Sequence, residues 1–319
     1  MKIGHVKTGI VLSVAAVGTA ALMFWVAHKI EAQQQPVVIK AEIGVNAELE
    51  VDAIFSEAHQ LETEGRQLAA LIKYQRVLSE YPGSSRAAEA LLAIGDIEFH
   101  HNDAAAHALK AYEKALSDHP NSLQVAAAKL GKASCLIDLL MPDAYEALVD
   151  VTENHADSDA ADCASVWRMF MEVAQEKYTY EEAIEHYRVV ARQSSSERAK
   201  ADAQYAIVGS YFWMGKNEAA IREIEELLAS GLYKSRRSLA IVHDMAAILY
   251  NGAEDYENAA RHADIIVRRY PKSQVIESAK AIRSYAEKKI AEAEDSRVSQ
   301  PHDRKKTAEV MDLNRRIDQ

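Results

Sequence analysis

The chain has little of what most folds are built from. Its 319 residues include two cysteines, six prolines, twelve glycines and five phenylalanines. Two cysteines exclude a disulfide framework. No segment alternates apolar and polar side chains, which argues against a sheet. There is no glycine-rich phosphate loop, no G-x-S-x-G and no H-E-x-x-H, so the commonest nucleotide, serine-hydrolase and zinc-protease chemistries have no carrier. Basic residues are also short: 37 Lys and Arg stand against 48 Asp and Glu, a net charge of −11. An acidic surface of this kind disfavours nucleic acid as a partner. The expectation is a protein that is not an enzyme and carries no cofactor, metal or small-molecule substrate.

Three of the few prolines fall in similar settings, YPGSSRAAEA at 81–90, HPNSLQVAAA at 119–128 and YPKSQVIESA at 270–279. Each follows a helix-like run that proline ends, and the serine two residues on can receive the free N–H groups of a new helix. Pro82 and Pro120 are 38 residues apart, and the 151 residues from Pro120 to Pro271 hold four similar periods. Ala70, Tyr74 and Val77 set a 4-3-5 spacing before Pro82. The spacing returns at Ala108, Tyr112, Ala115; Ala144, Leu148, Val151; Ala183, Tyr187, Val190; Ala220, Ile224, Leu227; and Ala259, Ala263, Ile266. A slim residue lies 11–13 positions before each leading alanine: Ala58, Gly95, Gly131, Met171, Gly209 and Ala247. Six units of 36–39 residues follow, each a helix, a turn and a second helix. Start signals for the second helices are read at 101–103, 141–143, 215–218 and 254–257, and capping-box spacing at Thr179–Glu182. One such hairpin cannot bury its apolar face alone, so the period implies a stack.

This pattern resembles the tetratricopeptide repeat (TPR). Trp167-x2-Phe170-Met171-x2-Ala174, Tyr205-x2-Val208-Gly209-x2-Phe212 and Ala108-x3-Tyr112-x7-Pro120 carry the resemblance, over roughly residues 47–285. The long units with YP-x-S are most similar to bacterial envelope TPR proteins, of the Tol–Pal coordinator and outer-membrane assembly lipoprotein types. No cysteine follows the N-terminal apolar run as a lipoprotein requires. The resemblance implies an all-α, right-handed solenoid of about six hairpins that holds protein or peptide partners on a concave face lined by the first helices. Counted from the slim residue of each first helix, the side chains expected there are Asp96, Phe99, His100, Lys132, Arg168, Glu172, Glu176, Trp213, Met214 and Asp244. Trp167 and Phe212 are assigned to the core.

Ahead of the repeats, residues 1–7 form a short flank and residues 8–27 carry no formal charge. Twenty residues make a helix of about 30 Å, enough to cross a bilayer. An uncleaved single-pass anchor is expected; a signal peptide cleaved after Ala32 is the alternative. The basic residues flanking the span lean toward repeats outside the cytoplasm, in a bacterial periplasm. Residues 28–46 read as a linker, 47–293 as the solenoid and 294–319 as a charged flexible tail. The function expected is a membrane-tethered scaffold in the cell envelope. The alternative is a subunit of an envelope enzyme or assembly complex with a metal-dependent site near His100 and His101, where Asp103 and His107 lie close in sequence. A polar turn with a cap at Asn102 or Asp103 reads the same cluster without chemistry. Cys135 and Cys163 are expected about 15 Å apart along adjacent helices, too far for a disulfide.

Overall fold

The computed structural model describes residues 45–298; the expected flank and anchor lie outside the described residues, the expected linker (28–46) and tail (294–319) are only partly inside, and the expected solenoid (47–293) falls wholly within them. Within them are thirteen helices and no strand. They are α1 (Val45–Thr63), α2 (Gln67–Glu80), α3 (Ala87–His100), α4 (Ala105–Asp118), α5 (Val125–Asp138), α6 (Ala144–Asn154) and α7 (Asp159–Ala174). The series continues with α8 (Tyr180–Gln193), α9 (Glu197–Trp213), α10 (Asn217–Ser230), α11 (Arg236–Gly252), α12 (Tyr256–Arg269) and α13 (Ile276–Val298). Odd-numbered helices open the six hairpins, even-numbered helices close them, and α13 covers the open face of the last pair.

The first three positions of the 4-3-5 spacing are buried in all six units, from Ala70, Tyr74 and Val77 in α2 to Ala259, Ala263 and Ile266 in α12. The spacing works because positions 4 and 7 return to the same side of a helix. Tyr112 shows what the slim residues are for. A Cβ on Gly95 of α3 or Gly131 of α5 would lie 2.5 Å from its ring. Two first helices therefore close on one tyrosine of the intervening second helix, and only hydrogen fits on either side. Gly209 of α9 differs, since a Cβ there would meet nothing within 4 Å; its hairpin partner carries Ile224 in place of the tyrosine.

The hairpin turns depart from the reading of their start signals. Each contains one residue in the left-handed region: Gly65, Asp103, Leu140, Glu176, Gly215 and Glu254, with φ between 53° and 75°. In five of them its N–H and the next bond carbonyls of the last turn, as Leu140 to Ile137 and Met141 to Leu136 do. Neither Asn102 nor Asp103 caps α4, whose N-cap is Ala104 without a side-chain bond, and Asp143 makes no capping bond. Thr179 and Glu182 do form a capping box, and Asp255 caps α12. The serine after proline is weaker than expected: Ser122 accepts from Gln124 N at 3.0 Å, whereas Ser84 Oγ is buried without a partner. The true serine caps are Ser158, Ser196 and Ser235, where proline is absent.

Gly131→Ala is expected to lower stability by about 1–3 kcal/mol through overpacking against Tyr112. Gly209→Ala should raise it by about 0.5–1 kcal/mol through helix propensity alone. Urea unfolding of the two variants checks the contrast; equal effects would remove the steric account of the slim positions.

Candidate functional site

A cavity of about 690 Å³ opens among the first helices, walled by α3, α5, α7, α9 and α11 and by the loop from Leu232 to Ser235. It exists because the sixth hairpin returns to the second and third. Arg237, in the first turn of α11, ion-pairs with Asp103 after α3 and with Asp138 at the end of α5. Its guanidinium also lies 4.6 Å from the centre of the Phe99 ring. Asp103 in turn accepts from the backbone N–H of Gln274 at 2.7 Å. Arg237 is left only 6% exposed.

Inside, two carboxylates are held by neutral donors. Tyr112 Oη donates to Asp96 Oδ1 at 2.7 Å. Asp202 receives Tyr233 Oη at 2.6 Å and Trp167 Nε1 at 3.2 Å. Burial raises the pKa of both acids, against the pull of these bonds and of the Arg198 charge. Arg198 lies between them in effect. Burial opposes its charge, but the fields of Asp202 and Asp96 prevail and its pKa is raised. Its Nε stands 3.8 Å from Asp202, and one Nη donates to Ser134 Oγ at 3.2 Å. His100 lines the same cavity; burial pulls its pKa down to about 3, and its Nδ1 is buried with no partner.

The expected concave residues divide. Asp96, Phe99 and His100 line the cavity. Lys132, Arg168 and Glu172 turn instead to the preceding second helix. Lys132 pairs with Glu113 of α4 at 3.3 Å, Arg168 donates to Thr152 of α6 at 2.9 Å, and Glu172 accepts from Tyr145 of α6 at 2.8 Å. Glu176 is the left-handed residue of its turn, and Asp244 is buried with Oδ1 unpartnered. Trp213 ends α9 and Met214 follows as its C-cap; neither lines the cavity, and Trp213 is 64% exposed. Trp167 packs on the core and also faces the cavity, while Phe212 packs on the core. Counting from the slim residue sampled the C-terminal halves of the first helices. The cavity wall uses the N-terminal halves of α9 and α11, so Arg198, Asp202 and Arg237 escaped notice, and Tyr205 was read only as a position of the repeat motif. A signal for two of them was present, because Arg198 and Arg237 each stand two residues after a capping serine.

The histidine cluster does not converge. Among the described residues no three His, Cys, Asp or Glu side chains are grouped to hold a metal. The His100 ring packs against Phe99, and Asp103 is taken by Arg237 and Gln274. Cys135 and Cys163 are free and buried, with both thiols pushed up to about 12 by burial. A second histidine pair lies away from the cavity, with His243 Nδ1 3.0 Å from His262 Nδ1. Tyr250 stacks on His262, whose Nε2 is 3.4 Å from Glu225. Burial pulls His243 down to about 4 and lowers His262.

No protein-family model matches the chain, and no curated protein does. Among solved structures it is similar to a Pseudomonas aeruginosa pilF structure, at 17% identity and a TM-score of 0.42 over 75% of this chain and 99% of that one. It is also similar to a tetratricopeptide repeat protein from Parabacteroides merdae, at 15% identity and a TM-score of 0.44 over 74% and 98%.

Arg237→Met is expected to cost about 3–5 kcal/mol, because it strands two partly buried carboxylates. Small-angle scattering should show a larger radius of gyration. An unchanged radius and unfolding midpoint would remove the clamp from this account. The histidines set a pH dependence. Their folded pKa values lie below the unfolded 6.5, so the unfolded chain binds more protons as pH falls. The stability they contribute is full above pH 6.5 and is lost toward pH 4, by up to about 1.4 kcal/mol per unit for each group. Asp96 and Asp202 act in the opposite sense, so a difference is the proper readout. The stability gap between wild type and His243→Gln should narrow as pH falls from 7 to 5. A constant gap would show that His243 does not titrate with folding.

Proposed function

We propose that the chain is a non-enzymatic scaffold that docks a protein partner along the outer edge formed by the turns of hairpins three to five, tethered to a bacterial envelope membrane by residues 8–27. The observation that carries the docking is a run of exposed apolar side chains on that edge. Leu140 is 91% exposed, and Leu139, Met141, Tyr178 and Trp213 are exposed beside their own turns. The turns are neighbours: Lys177 reaches the Tyr145 hydroxyl at 3.4 Å, and Lys216 pairs with Glu181 at 3.6 Å. Leu140 is also left-handed, with φ 53°. A leucine there costs backbone energy of about 1–2 kcal/mol and recovers nothing by burial in the free protein. Large aromatic and aliphatic side chains in one exposed strip fit an interface.

The concave face serves this purpose less well. Its cavity of about 690 Å³ falls in the range typical of small-molecule sites, roughly 300–1,000 Å³. The tether rests on the length and apolarity of residues 8–27 and the envelope setting on the repeat resemblance. Among the described residues no helix is long and apolar enough to cross a membrane.

Trp213→Ala should leave the helical signal and melting temperature nearly unchanged and weaken partner binding by about 2 kcal/mol or more. A photo-reactive residue at position 213 should give protein adducts that the same residue at position 100 does not. A large fall in melting temperature with unaltered binding per folded molecule would reject the docking edge. Mass spectrometry of the membrane fraction should find the chain uncleaved; a mature chain beginning at Gln33 in a soluble extract would reject the tether.

A further inference from the structure

Arg198 is an unusual guanidinium. It lines the central cavity and keeps 35% of its side-chain surface uncovered. Of its five N–H groups, one bonds Ser134 Oγ, and among the described residues no other acceptor lies within hydrogen-bonding distance. The nearest carboxylate oxygen, on Asp202, is 3.8 Å from Nε. Asp202 is satisfied elsewhere, by the Tyr233 hydroxyl and the Trp167 indole. Arg198 therefore presents free donors at the cavity wall, and a carboxylate bound in bidentate fashion is their best geometric match.

Asp96 presents the opposite case. It lines the same cavity and receives the Tyr112 hydroxyl, and no cation lies within ion-pairing distance among the described residues. The full lining holds five carboxylates, Glu62, Asp96, Asp138, Glu197 and Asp202, against three cations, Arg198, Lys234 and Arg237. A simple anion would enter a net negative chamber. A simple amine would leave the Arg198 donors open and meet a fixed positive charge. A ligand carrying both charges satisfies both groups. Trp167, Tyr205, Ile137 and Ile241 line the cavity as well and offer an apolar wall for its body.

We propose that the cavity binds a small zwitterion, an amino acid or a short peptide with an apolar side chain, its carboxylate on Arg198 and its ammonium on Asp96. The ligand then touches the second hairpin through Asp96 and the fifth through Arg198, so occupancy reinforces the closed arrangement that Arg237 maintains. The site is independent of partner docking on the outer edge.

Calorimetry and thermal shift on the full chain test this with four probes: L-phenylalanine, the dipeptide Phe-Phe, 3-phenylpropionate and phenethylamine. At least one zwitterion should bind saturably, raise the melting temperature and bind at least tenfold more tightly than either singly charged analogue. Whichever zwitterion binds more tightly tells free amino acid from short peptide. Arg198→Gln should abolish binding and Asp96→Asn should weaken it about tenfold or more. Should Arg198→Gln fail to fold, Ile241→Phe narrows the cavity without touching a charge and should weaken binding at least fivefold. No saturable binding of either zwitterion at millimolar concentration would overturn the proposal. So would equal binding of 3-phenylpropionate, or undiminished binding by the folded variants.

Discussion

One guanidinium ties distant parts of the array together. Repeats of this kind touch their immediate neighbours and leave the ends free, yet Arg237 joins the sixth hairpin to the second and third through Asp103, Asp138 and the Phe99 face. Removing a cation from water is costly, and two carboxylates with a ring face offset that cost only when all three are in place. With the clamp formed, α11 packs against α3 and the first helices enclose a chamber. Without it, the same hairpins would line an open groove.

Local packing makes the return possible. Tyr112 is gripped between Gly95 and Gly131, so α3 and α5 each approach its ring as closely as a residue without a side chain allows. Gly209 lacks such a neighbour, and the space beside it is unfilled. Close approach in the second and third hairpins and looser packing in the fifth sit on either side of the chamber. The loop after α10 adds to the asymmetry. It ends α10 on left-handed Gly231 and sends Tyr233 inward to Asp202.

The two surfaces suit different ligands for physical reasons. The chamber is charged, partly aromatic and small, with an open guanidinium opposite a carboxylate that lacks a cation. The outer edge presents exposed apolar residues from the turns of three successive hairpins. An enclosed polar site rewards charge matching, because few waters compete there. An open apolar strip rewards area.

The period of the 4-3-5 spacing determined the helix pairs, because a buried stripe must recur on one face of each second helix, and its first three positions are buried in every unit. Cys135 and Cys163 are both free and buried, in keeping with the offset along adjacent helices expected from the rise of a helix. The turns were less legible: Leu140, Glu176 and Glu254 take a left-handed conformation usually marked by glycine, imposed by the packing of both helices. Of the residues expected on the concave face, Asp96, Phe99 and His100 line the cavity, whereas Lys132, Arg168, Glu172, Glu176, Trp213, Met214 and Asp244 do not. An offset along a sequence gives the angle around a helix axis, not the tilt of that axis. Tertiary structure alone decided which ends of the first helices meet, and so brought Arg198, Asp202 and Arg237 into one chamber with Asp96. Asp103 and Arg237 are 134 residues apart. Their pairing depends on small rotations accumulated over the hairpins between them, which no local spacing records.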